Sequence, residues 1–159
     1  MNTEENDIEA EDDRRDPRLS LIFGHYGEEH QRWKLVEECG ELLAELGRFK
    51  NGDRTNVADL VHEMADVIVV ARQLFEIERS NVWPNNVDEC AHFLTERVGN
   101  VVADIFDSDS ASFYAGVCED WVFALAEFLE AEPMLYRAID MKIERQLERI
   151  AREAQESGK

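Results

Sequence analysis

The chain is poor in basic residues, in cysteine and in long apolar runs. Lysine and arginine number 17 against 36 aspartates and glutamates, a formal net charge of −19 at pH 7 over 159 residues. Affinity for DNA or RNA comes largely from neutralised phosphates, so this balance excludes an extended grip on nucleic acid. An anionic substrate would need a bound metal or a local basic patch to hold it. No apolar stretch approaches the roughly 20 residues that span a bilayer, so no membrane partner is expected. The N-terminus is acidic rather than a basic-then-apolar leader, which leaves a cytoplasmic location as the expectation. Cys39, Cys90 and Cys118 are odd in number and set among apolar residues. They are expected to be reduced core thiols rather than a disulfide framework. Strand-type alternation is missing as well.

What remains is helical. Apolar residues make up 44% and charged residues 33% of the chain, the balance of a helix-rich globular domain. Residues 1–18 hold eight acids and three arginines and read as a disordered acidic tail. Residues 19–159 read as one domain. Helices are predicted over Glu28–Phe49, Val57–Glu78, Val87–Phe106, Ser112–Glu130 and from Pro133 to about Gln155. Asn51-Gly52 closes the first. Asn56 is the expected N-cap of the second, and Asn86 with Glu89 resembles a capping box at the third. The fourth follows the Asp-Ser-Asp-Ser turn. The expected fold is an all-α bundle of about five helices with antiparallel neighbours. A faint repeat runs through it: Leu35 to Leu46 aligns without gaps to Leu94 to Ile105. The helix after each copy carries a Glu near its start, Glu63 and Glu119. In the second copy Arg97 replaces Glu38, Asn100 replaces Glu41, and Val122 falls opposite Asp66. That pattern suits a duplicated helix pair whose second copy has lost its acids, or two amphipathic helices that resemble each other by chance.

The acids of the first copy are the informative part. Glu38 with Glu41, and Glu63 with Asp66, each stand one helical turn apart. The first helix alone is ambiguous, because Glu37, Glu41 and Glu45 also form a row of the kind that faces solvent. The second helix decides more. Val67-Ile-Val-Val-Ala is apolar all round, which places this helix centrally. Glu63 and Asp66 among such residues need a partner, since a buried carboxylate without one neutralises or destabilises the fold. One or two hard cations bound through oxygen, as Mg²⁺ prefers, would provide it. A di-iron site would want Glu-x-x-His repeats, and none lies at these acids. Lys142, Arg145, Arg149 and Arg152 share one face of the last helix. They are either partners for neighbouring glutamates or a clamp for phosphate oxygens.

Glu-Glu-x-x-Glu, a spacer and Glu-x-x-Asp together resemble the signature of the all-α nucleoside triphosphate pyrophosphohydrolases. That superfamily includes MazG, dimeric dUTPases, dCTP pyrophosphatases and phosphoribosyl-ATP pyrophosphohydrolase. Lys34-Leu-Val-Glu-Glu-Cys-Gly-Glu-Leu and Val61-His-Glu-Met-Ala-Asp-Val-Ile look like its MazG-like branch, as does the basic last helix. The matched parts cover about residues 28–78 and 135–152. The helices between about 87 and 130 depart from the shortest members and suit the dimeric dUTPase plan.

The resemblance implies Mg²⁺-dependent cleavage, with Mn²⁺ as a substitute, of a nucleoside triphosphate to the monophosphate and pyrophosphate. By motif position Glu38, Glu41, Glu63 and Asp66 become metal ligands and Glu37 the group that orients or deprotonates water, with Glu38 beside it in the catalytic set. Lys142, Arg145, Arg149 and Lys34 become phosphate contacts. Gln31, Trp33, Arg97 and Asn100 are the base-binding candidates. The resemblance further implies a homodimer or homotetramer. The rival expectation is a non-catalytic acidic helical protein, either a DNA mimic or an interaction module with a dead site.

Overall fold

Residues 16–77 and 82–158 are described by the computed structural model, and all regular structure among them is helical. The helices are α1 (Pro17–Tyr26), α2 (Glu28–Lys50), α3 (Val57–Leu74), α4 (Val87–Ala103), α5 (Ser108–Phe128) and α6 (Glu132–Ser157), with a short 3₁₀ turn at Arg54–Asn56. None of them is long and apolar enough to cross a membrane.

Helix α3 is the centre of the bundle. Val67, Ile68, Val69, Val70 and Ala71 are all buried, and α3 packs against α1, α2, α5 and α6. A helix apolar on every side has this place in a bundle, because no face of it gains from meeting water. Helices α2 and α3 run antiparallel. Gln31 lies beside Gln73, while Glu38 lies beside Asp66. Helices α4 and α5 form a second antiparallel hairpin. The Phe93 ring stacks on Trp121 with centroids 5.1 Å apart, and Arg97 is close enough for its charge to act on the Cys118 thiol. Cys39, Cys90 and Cys118 are free and buried, and burial pushes Cys39 and Cys90 up to about 12.

Helix α1 was not among the predicted elements. Its N-cap is Asp16, whose Oδ1 accepts from the Arg18 N–H at 3.0 Å, and Pro17 suits the first helical position. The helical part therefore begins at the last residues of the predicted acidic tail. Residues 1–15 of that tail lie outside the described residues. Gly27 (φ +85°) turns the chain from α1 into α2, and Gly52 (φ +98°) turns it out of α2.

Several predicted boundaries move for local reasons. Helix α3 ends at Leu74, because Phe75 is extended and buries its ring beneath the Arg32 guanidinium, 5.7 Å from the ring centroid. The predicted end at Glu78 lies outside the described residues. Asp107 caps α5 by accepting from the Ser110 N–H at 3.2 Å, so the Asp-Ser-Asp-Ser stretch enters the first turn of α5 rather than preceding it. Asn56 does not cap α3 with its side chain. Its Nδ2 instead donates to the Glu45 backbone oxygen at 3.1 Å and to Glu45 Oε2 at 2.7 Å, fastening the start of α3 to α2. The Asn86 cap forms as expected: its Oδ1 accepts from the Glu89 N–H at 2.8 Å, and Glu89 Oε2 returns to the Asn85 N–H at 2.7 Å.

Candidate metal centre

The antiparallel pairing of α2 with α3 brings the two acid pairs together. One carboxylate oxygen from each of Glu38, Glu41, Glu63 and Asp66 lies within 4.8 Å of the other three. Oxygens on opposite sides of an octahedral Mg²⁺ stand about 4.2 Å apart, and a Ca²⁺-sized ion tolerates slightly more. The cluster therefore has the dimensions of a site for one divalent cation, and its all-oxygen donors suit a hard ion.

The four acids differ in surroundings. Glu38 is 1% exposed, Glu63 and Asp66 are half-buried, and Glu41 is exposed. The centre is thus walled by the bundle on the Glu38 side and open on the Glu41 side. Burial, followed by the charges of Asp66 and Glu41, pushes the Glu63 carboxyl up to about 7. Glu63 Oε2 is buried without a hydrogen-bond partner among the described residues. Burial also raises Asp66, against the opposing pull of Lys142. An orphaned buried oxygen beside three more carboxylates is the arrangement a cation would satisfy.

Among the described residues, Lys34 and Lys142 reach the cluster. Lys34 Nζ lies 3.0 Å from Glu38 Oε1 and 3.0 Å from Glu37 Oε1. Lys142 Nζ, from α6, lies 3.2 Å from Glu38 Oε1 and 3.3 Å from Asp66 Oδ1. Burial works against the charge on Lys34, and its bonds to Glu37 and Glu38 outweigh that, leaving its pKa above the usual lysine value. Glu37 itself is exposed and has no place among the four converging oxygens. Arg145 is exposed on α6, and its charge still acts on Asp66. Arg149 is exposed one turn further on.

The four residues expected to meet a base fall in three places. Gln31 is buried, and its Nε2 donates to Gln73 Oε1 at 2.5 Å. Gln73 Nε2 donates in turn to the Val69 backbone oxygen at 3.2 Å and to Gln146 Oε1 at 3.5 Å. An amide chain thus joins α2, α3 and α6 two turns from the acids. Trp33 is 55% exposed and meets Phe106 edge to face, with centroids 5.2 Å apart. Five residues separate it from Glu38, which turns it about 140° round α2 from the acid cluster. Arg97 and Asn100 are half-buried on α4.

Sequence reasoning did not find the Gln73 and Gln146 partners. Their register was visible in retrospect, since Gln73 is two turns from Asp66 and Gln146 one turn from Lys142 on the same faces. Nor did it find the Arg72–Glu119 ion pair, both side chains of which are buried. Glu119, the counterpart of Glu63 in the repeat, faces an arginine of α3 where Glu63 faces carboxylates.

No protein-family model matches the chain, and no curated protein or solved structure matches it. Fold and cluster together define an all-α helical bundle with a four-carboxylate group of metal-binding dimensions.

Proposed function

We propose that this chain is a Mg²⁺-dependent, MazG-like nucleoside triphosphate pyrophosphohydrolase that releases a nucleoside monophosphate and pyrophosphate. The observation that carries the reading is the convergence of Glu38, Glu41, Glu63 and Asp66 from two antiparallel helices, with Glu63 Oε2 lacking a hydrogen-bond partner among the described residues. These four residues would hold the metal. When bound, Mg²⁺ would offset charge developing on the phosphate oxygens and lower the pKa of water at the site.

The remaining chemistry falls to the chain's own groups. Glu37 is exposed, one residue from the buried ligand Glu38, and is the carboxylate outside the ligand set that would orient or deprotonate an attacking water. Lys34 holds Glu37 at 3.0 Å, which fixes its direction. Lys142 and Arg145 lie on the α6 side of the acids and supply positive charge where a triphosphate would lie. Arg149 extends that charge outward. Gln31, the amide expected to meet a base, lies two helical turns from Glu38 and is buried against Gln73. Trp33 and Phe106 expose apolar surface on another side, which suits assembly as a homodimer or homotetramer in the cytoplasm.

A DNA mimic would carry its acids on an open face, whereas Glu38 is 1% exposed. The test is a panel of the four dNTPs, the four NTPs and dUTP, each with and without Mg²⁺, assayed for pyrophosphate. Release from at least one nucleotide only with metal supports the proposal. No release from any of them overturns it in favour of a binding role.

A further inference from the structure

Lys142 contacts the oxygens that a metal would use. Glu38 Oε1 meets Lys34 Nζ at 3.0 Å and Lys142 Nζ at 3.2 Å. Both ammonium groups thus crowd the same oxygen, and Lys142 donates a hydrogen bond to it. Lys142 also meets Asp66 Oδ1 at 3.3 Å. It thereby bridges one ligand of α2 and one of α3, with its side chain only 14% exposed. Water screens such a contact poorly. Lys34 is placed differently. It shares a helix with Glu38, and its second partner, Glu37 at 3.0 Å, lies outside the four-acid set. Lys34 thus keeps a partner outside the four acids, whereas both ion-pair partners of Lys142 among the described residues belong to them.

We propose that Lys142 is an internal competitor for the metal. Its ammonium and a divalent cation exclude one another at Glu38 Oε1 and Asp66 Oδ1, so cation entry requires Lys142 to withdraw. The ammonium offsets the repulsion that would otherwise drive the four carboxylates apart, which keeps them assembled, and it holds metal affinity down. This rests on the reading that the four acids bind a divalent cation, and it concerns how strongly they do so. Arg145 is the internal comparison. It contributes positive charge to Asp66 from the same helix face without an ion pair to any of the four acids among the described contacts. A diffuse field would raise affinity in both variants, by less at the exposed and more distant Arg145, whereas displacement from the ligand oxygens concerns Lys142 alone.

The experiment titrates Mn²⁺ alone, without nucleotide, into the full chain and follows free Mn²⁺ by electron paramagnetic resonance. Wild type, Lys142→Met, Lys142→Gln, Lys34→Met and Arg145→Met are compared, with circular dichroism to confirm the helical fold. Both Lys142 variants should bind Mn²⁺ at least about fivefold more tightly than wild type, as loss of a unit charge at contact distance predicts. Arg145→Met should stay within about twofold, and Lys34→Met should fall between. The Lys142 variants should also melt lower without Mn²⁺ and gain more from it than wild type does. Equal affinity in wild type and the Lys142 variants overturns the competition and leaves the metal reading standing. Equal gains in the Lys142 and Arg145 variants overturn it as well, in favour of a diffuse field. Absence of Mn²⁺ binding in all five proteins overturns the metal reading itself, and the competition with it.

Discussion

Arg72 of α3 and Glu119 of α5 form a buried ion pair, with side chains 5% and 1% exposed. Arg72 reaches the carboxylate through both Nε and Nη2, the forked geometry that makes such pairs strong. The contact ties the central helix to the second hairpin. Glu119→Ala would take away the ion-pair partner of a buried guanidinium, leaving Asp16 as a neighbouring carboxylate whose charge reaches it, and we expect a loss of about 3–5 kcal/mol in urea unfolding. Replacing both residues, Arg72→Met with Glu119→Leu, should recover most of that loss, because desolvation of the pair offsets much of its attraction. A single variant within about 1 kcal/mol of wild type would contradict this account.

The four acids should separate from the rest of the bundle in their effect on turnover. Glu38→Ala or Asp66→Ala is expected to abolish pyrophosphate release while leaving the helical circular dichroism intact. Glu45→Ala, two turns from Glu38 on α2 and bound to Asn56 and Arg48, is expected to alter stability and leave metal dependence unchanged. Full activity in the Glu38 or Asp66 variant would refute the ligand assignment.

Glu63 gives the metal-free protein a pH dependence of known sign. Its carboxyl titrates near 7 in the fold against an ordinary value of 4.5. Between those values the folded chain holds the proton more tightly than the unfolded chain does. Stability from this group is therefore lost as pH rises through that window. With a chelator present, the melting temperature should fall from pH 5 to pH 7.5, and Glu63→Gln should remove part of the slope. The general repulsion of a −19 chain has the same direction, so the difference between the two proteins is the quantity to measure. Identical slopes would show that Glu63 titrates in its ordinary range.

Gly27 lies between α1 and α2 with φ +85° and ψ 163°. That region is essentially closed to residues with a Cβ. No atom crowds a Cβ there, so the cost of Gly27→Ala is backbone strain alone, of order 1–3 kcal/mol. Thermal unfolding of Gly27→Ala beside Gly24→Ala, a helical position with equal space, would isolate it. Equal melting temperatures for the two variants would remove the strain argument.

The central helix and its acids were legible because two independent patterns coincide there. An all-apolar run marks burial, and one-turn spacing marks a shared face, so Glu63 and Asp66 could be placed before any coordinates. Helix α1 was not legible, since its cap, Asp16, reads as the last acid of the tail and its length is only 10 residues. The stripe on α6 correctly put Lys142, Arg145 and Arg149 on one face. Periodicity carries no information on how deep each would sit, and of these three only Lys142 makes ion pairs with the four acids among the described residues. Arg72 and Glu119 are 47 residues apart in sequence, and no local pattern links them. The family resemblance drew on the same acids as the physical argument, so it adds an expected chemistry rather than a second witness to the site.

Each of the three thiols is sealed inside a different helix: Cys39 in α2, Cys90 in α4 and Cys118 in α5. An alkylating reagent can reach them only when the helix concerned swings away from its neighbours, and the high pKa of each adds a chemical barrier to the steric one. The chain thus carries three native stopwatches for its own breathing, one on the first hairpin and two on the second. Their relative labelling rates rank how often each hairpin comes loose, with no probe engineered in.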